Sequence, residues 1–114
     1  DESVDMLVKI SLSHANSGAD YVCLSDMMDG RVRSVRRAFE EKGMRSTGVL
    51  SYSVKYASSF YGPFRSAASS APTFGDRSSH QMDPRSDYKE AILEAELDVQ
   101  EGSDILMIKP GINY

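Results

Sequence analysis

Two lysines are placed where carbonyl chemistry could be done. Lys55 follows Ser51-Tyr52-Ser53-Val54, and Lys109 closes the apolar run Ile105-Leu106-Met107-Ile108. Both runs read as strands. In a parallel β/α architecture, the C-terminal edge of the sheet is where active sites assemble. A lysine at that edge is partly desolvated and has a cationic neighbour, and both effects favour the neutral amine. The neutral amine attacks a ketone and forms a Schiff base. Lys109, after four consecutive apolar residues, is expected to be the more desolvated of the two. Position alone leaves open a plainer reading, in which each lysine caps a strand and extends its ammonium to water.

Between them lies a second group of candidates. Arg65 and Arg77 stand among Tyr56, Phe60, Tyr61, Phe64 and Phe74. Guanidinium forks suit bidentate carboxylate binding, and aromatic rings exclude water from a closed site. An ordered surface loop with a few salt bridges fits the same residues. Glu94 and Asp98, four apart on an expected helix, share a face that can hold a hydrated magnesium ion or be simply solvated. Arg31, Arg33, Arg36, Arg37, Lys42 and Arg45 make a basic helix, expected to be a solvated face or a subunit contact. His14 and His80 lack partners at metal-ligand spacing. Cys23, in mid-strand, is expected to be a buried and inert thiol.

The elements that must position these groups alternate. Ser3 to Ala15 is an expected helix, with Val4, Leu7, Val8, Ser11 and Ala15 near one stripe, Ser3 as N-cap and Gly18 as stop. Asp20 to Ser25 then reads as a strand buried on both faces. A second helix carries Val32, Val35, Ala38 and Phe39 and ends at Gly43, followed by a strand over Gly48 to Ser53. A third begins near Asp87, with Glu90 three residues on, carries Ala91, Ile92, Ala95 and Val99, and stops at Gly102 before the strand Asp104 to Lys109. Gly18-Ala19-Asp20 and Gly102-Ser103-Asp104 echo each other, as one repeated β/α module would. The fold class is therefore α/β with a parallel sheet, doubly wound or part of a (β/α)8 barrel. Three strands cannot close a barrel, which typically needs about 250 residues. Residues 1–114 are accordingly read as one partial barrel domain. The roughly 30 residues from Val54 to Arg85, with Gly62, Pro63, Pro72, Gly75 and Pro84, are expected to be a functional lid.

Composition narrows the classes. A chain of 114 residues with 40% hydrophobic and 26% charged content suits a globular domain or a piece of one. A formal charge of −4 argues against a chain-wide binder of nucleic acid or anionic membrane. No apolar run is long enough to span a bilayer, and Asp1-Glu2 is no leader peptide. The absent initiator Met suggests a cut chain. One cysteine favours a reducing compartment over secretion.

Three blocks carry a resemblance. Ser25 to Val32 reads SDMMDGRV; Ser51 to Ala67 reads SYSVKYASSFYGPFRSA, with FGDR from Phe74 to Arg77; Glu101 to Gly111 reads EGSDILMIKPG. In order and spacing they resemble the porphobilinogen synthase family, also called 5-aminolevulinate dehydratase. The resemblance covers essentially the whole chain. It implies a central portion of a (β/α)8 barrel roughly three times this length, and an enzyme that condenses two molecules of 5-aminolevulinate to porphobilinogen with loss of two waters. It further implies that Lys55 and Lys109 form one Schiff base each, that Arg65 and Arg77 grip a substrate carboxylate with Gln81 nearby, and that Ser25, Tyr61 and Phe64 line the same site. Glu94 falls where many members hold an allosteric magnesium between the barrel and a neighbouring subunit's arm, in homo-oligomers that are commonly octamers. Cytoplasm or plastid is the implied compartment. Cys23-Leu24 departs from the Ala-Pro common before SDMMDGRV. By the resemblance, the family's metal-binding loop precedes Asp1 and the residues for the second substrate's carboxylate follow Tyr114. Catalytic zinc and catalytic magnesium thus both stay open, and the chain alone is expected to be inactive. A single-lysine, aldolase-like lyase and a noncatalytic assembly module are the alternatives.

Overall fold

In the computed structural model, which describes residues 1–69, 75, 78, 80–86 and 88–111, helices and strands alternate as the apolar periods require. The elements are α1 (Glu2–Asn16), β1 (Tyr21–Leu24), α2 (Arg31–Glu41), β2 (Gly48–Lys55), α3 (Tyr61–Ala67), α4 (Lys89–Gln100) and β3 (Ile105–Lys109). Asp1, rather than Ser3, caps α1: its carboxylate accepts the Ser3 N–H at 2.9 Å. Arg77, Phe74 and Asp87 lie outside the described residues, so the expected Asp87 cap of α4 does too.

The three strands are parallel and ordered β1-β2-β3, with Leu24 opposite Ser51 and Lys55 opposite Lys109. Sheet order that follows chain order is the arrangement of a barrel wall; a doubly wound sheet reverses direction at a switch point. The helices cover one face. There Val22, Leu24, Val32, Val35, Phe39 and Val49 form the main core, with Val8, Leu12, Ala15 and Met44 against it. A second cluster joins Val54, Tyr56, Met82 and Ala91.

The opposite face is open, which corrects two expectations. β1 is buried on alternate residues only, and Cys23 is exposed. β3 is the edge strand, with Ile105, Leu106 and Ile108 all exposed. Lys109 therefore does not sit at the end of the more buried strand; both lysines are half-buried.

A bulge in β2 decides which way Lys55 points. Ser51 pairs with Leu106 but Val54 with Ile108, so three steps on β2 match two on β3. The extra residue shifts the side-chain alternation by one. Ser51 and Ser53 lie buried, Val54 packs near Ala91 of α4, and Lys55 falls on the same face as Tyr52, three residues earlier. Without the bulge, Lys55 would share the parity of Ser51 and point under the helices.

The basic helix keeps Arg33, Arg37, Lys42 and Arg45 exposed, as a solvated face would, but Arg31 departs from that expectation. Arg31 is 2% exposed. Its Nη2 donates to Ser51 Oγ at 2.9 Å, to the Tyr52 carbonyl at 3.2 Å and to Asp98 Oδ2 at 3.3 Å, while Nη1 donates to the Met28 carbonyl at 3.1 Å. Arg33 pairs with Glu101 at 2.9 Å, and Arg36 reaches the Gly102 carbonyl and Asp104. Arg31, Arg33 and Arg36 thus tie α2 to the acidic end of α4 and the start of β3, while Arg37 pairs with Glu41 within the helix. Gly102 must be glycine: its φ is +102°, and a Cβ would stand 3.0 Å from Arg36 Cγ.

The long connection contains structure that the sequence reading left out. Its first two residues belong to β2. Tyr56 and Met82 then form a parallel bridge, with Ala57 N–H donating to the Met82 carbonyl and Met82 N–H to the Lys55 carbonyl, each at 2.9 Å. The loop is therefore pinned at both ends. Within it, α3 starts at Tyr61 and accepts Pro63 in its first turn, where a missing N–H costs nothing.

Candidate active site

Strand ends and α3 bring the sequence candidates together. Ser25 follows β1, Lys55 ends β2, Lys109 ends β3, and Tyr61, Phe64 and Arg65 come from α3. Lys55 and Lys109 are direct register partners on adjacent strands. The Lys55 ammonium donates to the Ser25 carbonyl. Lys109 Nζ lies 5.1 Å from the ring centre of Tyr52, 5.7 Å from Tyr61 and 5.3 Å from Phe64. Such distances place the cation against ring faces whose quadrupole attracts it. Arg65 stands 5.7 Å from the Tyr61 ring, and its buried Nε has no hydrogen-bond partner among the described residues. A buried, unspent guanidinium N–H that shares the Tyr61 ring with Lys109 suits an anionic ligand group.

Gln81 is buried next to Met82, whose N–H is bonded to the Lys55 carbonyl, and its Oε1 has no partner among the described residues. Glu94 is apart from this group, on α4. Desolvation raises its pKa above the usual glutamate value, and the Asp98 and Asp29 carboxylates add to the rise. Asp98 is occupied by Arg31 and Ser51 and is not available as a second ligand. Among the described residues no cluster of three or more His, Cys, Asp or Glu could hold a metal, and no helix is long and apolar enough to cross a membrane. Burial likewise raises the Tyr56 phenol, with Tyr88 and Glu90 reinforcing it.

Two residues of this region went unread in the sequence. Tyr52 touches both lysines, at 5.6 Å from Lys55 Nζ and 5.1 Å from Lys109 Nζ, but three-residue spacing puts it on the lysine's face only through the bulge. Arg31 sits in a run of cations that looks solvated, and only its contacts reveal it as the tie between β2, α2 and α4.

The family model of delta-aminolevulinic acid dehydratase matches residues 1–114. The chain belongs to that family. It is 58% identical to the delta-aminolevulinic acid dehydratase of Methanothermobacter thermautotrophicus and 52% identical to delta-aminolevulinic acid dehydratase 1, chloroplastic, of Arabidopsis thaliana, each over the whole chain. It spans 35% and 26% of those relatives' lengths. The crystal structure of delta-aminolevulinic acid dehydratase (porphobilinogen synthase) from Toxoplasma gondii ME49, in complex with the reaction product porphobilinogen, superposes with a TM-score of 0.92 at 51% identity. That match covers 98% of this chain and 32% of the other. The α/β arc described above is accordingly part of a (β/α)8 barrel, as delta-aminolevulinic acid dehydratases have.

Proposed function

We propose that the protein to which this chain contributes condenses two molecules of 5-aminolevulinate to porphobilinogen, releasing two waters, in tetrapyrrole biosynthesis. The observation that carries the proposal is the pairing of Lys55 with Lys109 across adjacent strand ends. Two keto acids must be activated separately and held close, and neighbouring amines turn that encounter into an effectively intramolecular step. Each neutral amine adds to one ketone, and the adduct loses its oxygen as water to leave a Schiff base. Arg65, Arg77 and Gln81 bind a substrate carboxylate. Ser25 orients Lys55 through its carbonyl, and Tyr61 and Phe64 keep water from Lys109. Residues 54–85 act as the lid over this site, with the Tyr56–Met82 bridge as its fixed base.

Glu94 would hold a hydrated magnesium ion through water, as one half-buried carboxylate with Asp29 near it, since Asp98 is taken by Arg31 and Ser51. When bound, the ion supplies charge compensation at a contact with another subunit of a homo-octamer, away from the lysines. Whether zinc or magnesium serves the reaction itself is set by residues other than those described. The compartment is cytoplasm or plastid, the latter in keeping with the chloroplastic plant relatives.

The test uses the full-length protein with 5-aminolevulinate. Pyrrole product should appear, and borohydride should trap substrate on both lysines. Lys55→Ala should remove porphobilinogen formation; an aldolase-like enzyme centred on Lys109 would keep its carbonyl chemistry. No pyrrole under either zinc or magnesium sinks the proposal.

A further inference from the structure

The ring of Tyr52 lies near both lysine nitrogens, with its centre 5.6 Å from Lys55 Nζ and 5.1 Å from Lys109 Nζ. We propose that Tyr52 is a positioning residue that seats the two amines side by side on its π system, so that both can carry substrate in the same subunit. The inference rests on the Schiff-base reading of Lys55 and Lys109.

Two cations brought into register on neighbouring strands repel each other, and long lysine side chains ordinarily swing apart into water. An aromatic face attracts both and offsets that tendency. For the ring to serve it must be fixed, and its backbone is. The β2 bulge turns Lys55 onto the face of Tyr52, and the Tyr52 carbonyl accepts from Arg31 at 3.2 Å. Arg31 is itself buried and tied to Asp98 and Ser51, so the strand cannot shift without breaking a buried ion pair. Tyr61 and Phe64 give Lys109 further rings, but they come from α3 in the long connection, whereas Tyr52 comes from the central strand.

The chemistry asks for a seat that suits positive charge at the start and at the end of the step. As the amine nitrogen bonds to the ketone carbon, the carbonyl π pair moves to oxygen. The oxygen then leaves as water, one proton is taken up from solvent, and the C=N nitrogen carries the positive charge as an iminium. The resting ammonium, before it gives a proton to solvent and becomes the nucleophile, and the iminium that forms after it both place positive charge at this nitrogen, and a ring face suits both states. A hydrogen-bond acceptor would lose the N–H bonds that the new carbon replaces.

The experiment is done on the full-length protein, with phenylalanine and then progressively fluorinated phenylalanines at position 52. Fluorine withdraws the ring's charge while nearly keeping its shape, so a packing role would be little affected. After borohydride reduction with 5-aminolevulinate, intact mass and peptide mapping give the fraction of subunits labelled on both lysines. Tyr52→Phe should keep double labelling near that of the unsubstituted protein. The trifluorinated ring and Tyr52→Leu should lower it by roughly threefold to tenfold, with an unchanged melting temperature for the fluorinated series. Double labelling that stays level across the series overturns the role of Tyr52 and leaves the Schiff-base reading standing. Label on neither lysine in the unsubstituted protein overturns both.

Discussion

Glu94 and Asp98 lie one turn apart on α4, yet their carboxylates are in opposite circumstances. Asp98 is buried against Arg31, and its charge is matched. Glu94 is half-buried with Asp98 and Asp29 for neighbours, and its pKa lies above the ordinary 4.5. For a carboxyl so raised, ionisation is what the fold disfavours. Any stability it lends is present below pH about 4.5 and is lost as pH rises through the raised value. Glu94→Gln in the full-length protein should therefore raise the melting temperature at neutral pH in metal-free buffer, with the gain vanishing near pH 4. Added magnesium should stabilise the parent and leave the variant unmoved if Glu94 holds the ion. An equal magnesium response in both, by calorimetry and by oligomer distribution in the ultracentrifuge, removes Glu94 from metal binding and leaves the lysine assignment intact.

At the scale of elements, what the sequence could tell followed from period and punctuation. Apolar spacing gave all three long helices, and Gly18, Gly43 and Gly102, each with positive φ, marked their ends. Short apolar runs gave the strands but not the β2 bulge, because Ser53-Val54 carries no glycine or proline to announce one. Nor could cation counting find Arg31, since a buried guanidinium and a solvated one look alike in sequence. That tie makes a quantitative prediction. Asp98→Asn leaves buried Arg31 with only its longer pair to the partly exposed Asp26, at 3.5 Å, and should cost up to about 3–5 kcal/mol. The double change Arg31→Met with Asp98→Leu removes both charges and should cost clearly less. Denaturant titration of the full-length protein measures both, and equal losses would mean that the pair contributes through packing alone. The loop makes a second prediction. Ala57 and Met82 amides, bonded across the bridge, should resist hydrogen exchange with or without ligand, while residues 58–81 between them gain protection only when a carboxylate inhibitor is bound. Exchange unchanged across that segment at saturation would end the lid reading.

At the scale of the molecule, the edge of the arc formed by α4 and β3 exposes apolar surface. Ile92 and Val99 of α4 and Leu106 and Ile108 of β3 are exposed along one side. With Val54, Tyr56, Tyr88, Ala91 and Ala95, Ile92, Leu106 and Ile108 line an apolar groove of about 490 Å³ on the helix-covered side of the sheet, away from the lysines. An arc of a barrel must have such a side, because its edge strand and last helix are shaped to pack on the next β/α unit. The 114 residues expressed alone should consequently self-associate and bind an apolar dye, even though the α1–β1–α2 core is well packed. Ile92→Glu with Ile108→Lys should make the short chain more soluble and less dye-binding. The same pair in the full-length protein should be destabilising by about 3–5 kcal/mol if the charges are buried unpaired. Opposite signs in the two contexts are what an interior surface gives. Sedimentation of the short chain and melting of the long one decide it: a pair of changes that is neutral in the full-length protein would mean that this groove faces solvent there, and that the arc is closed by contacts elsewhere on β3.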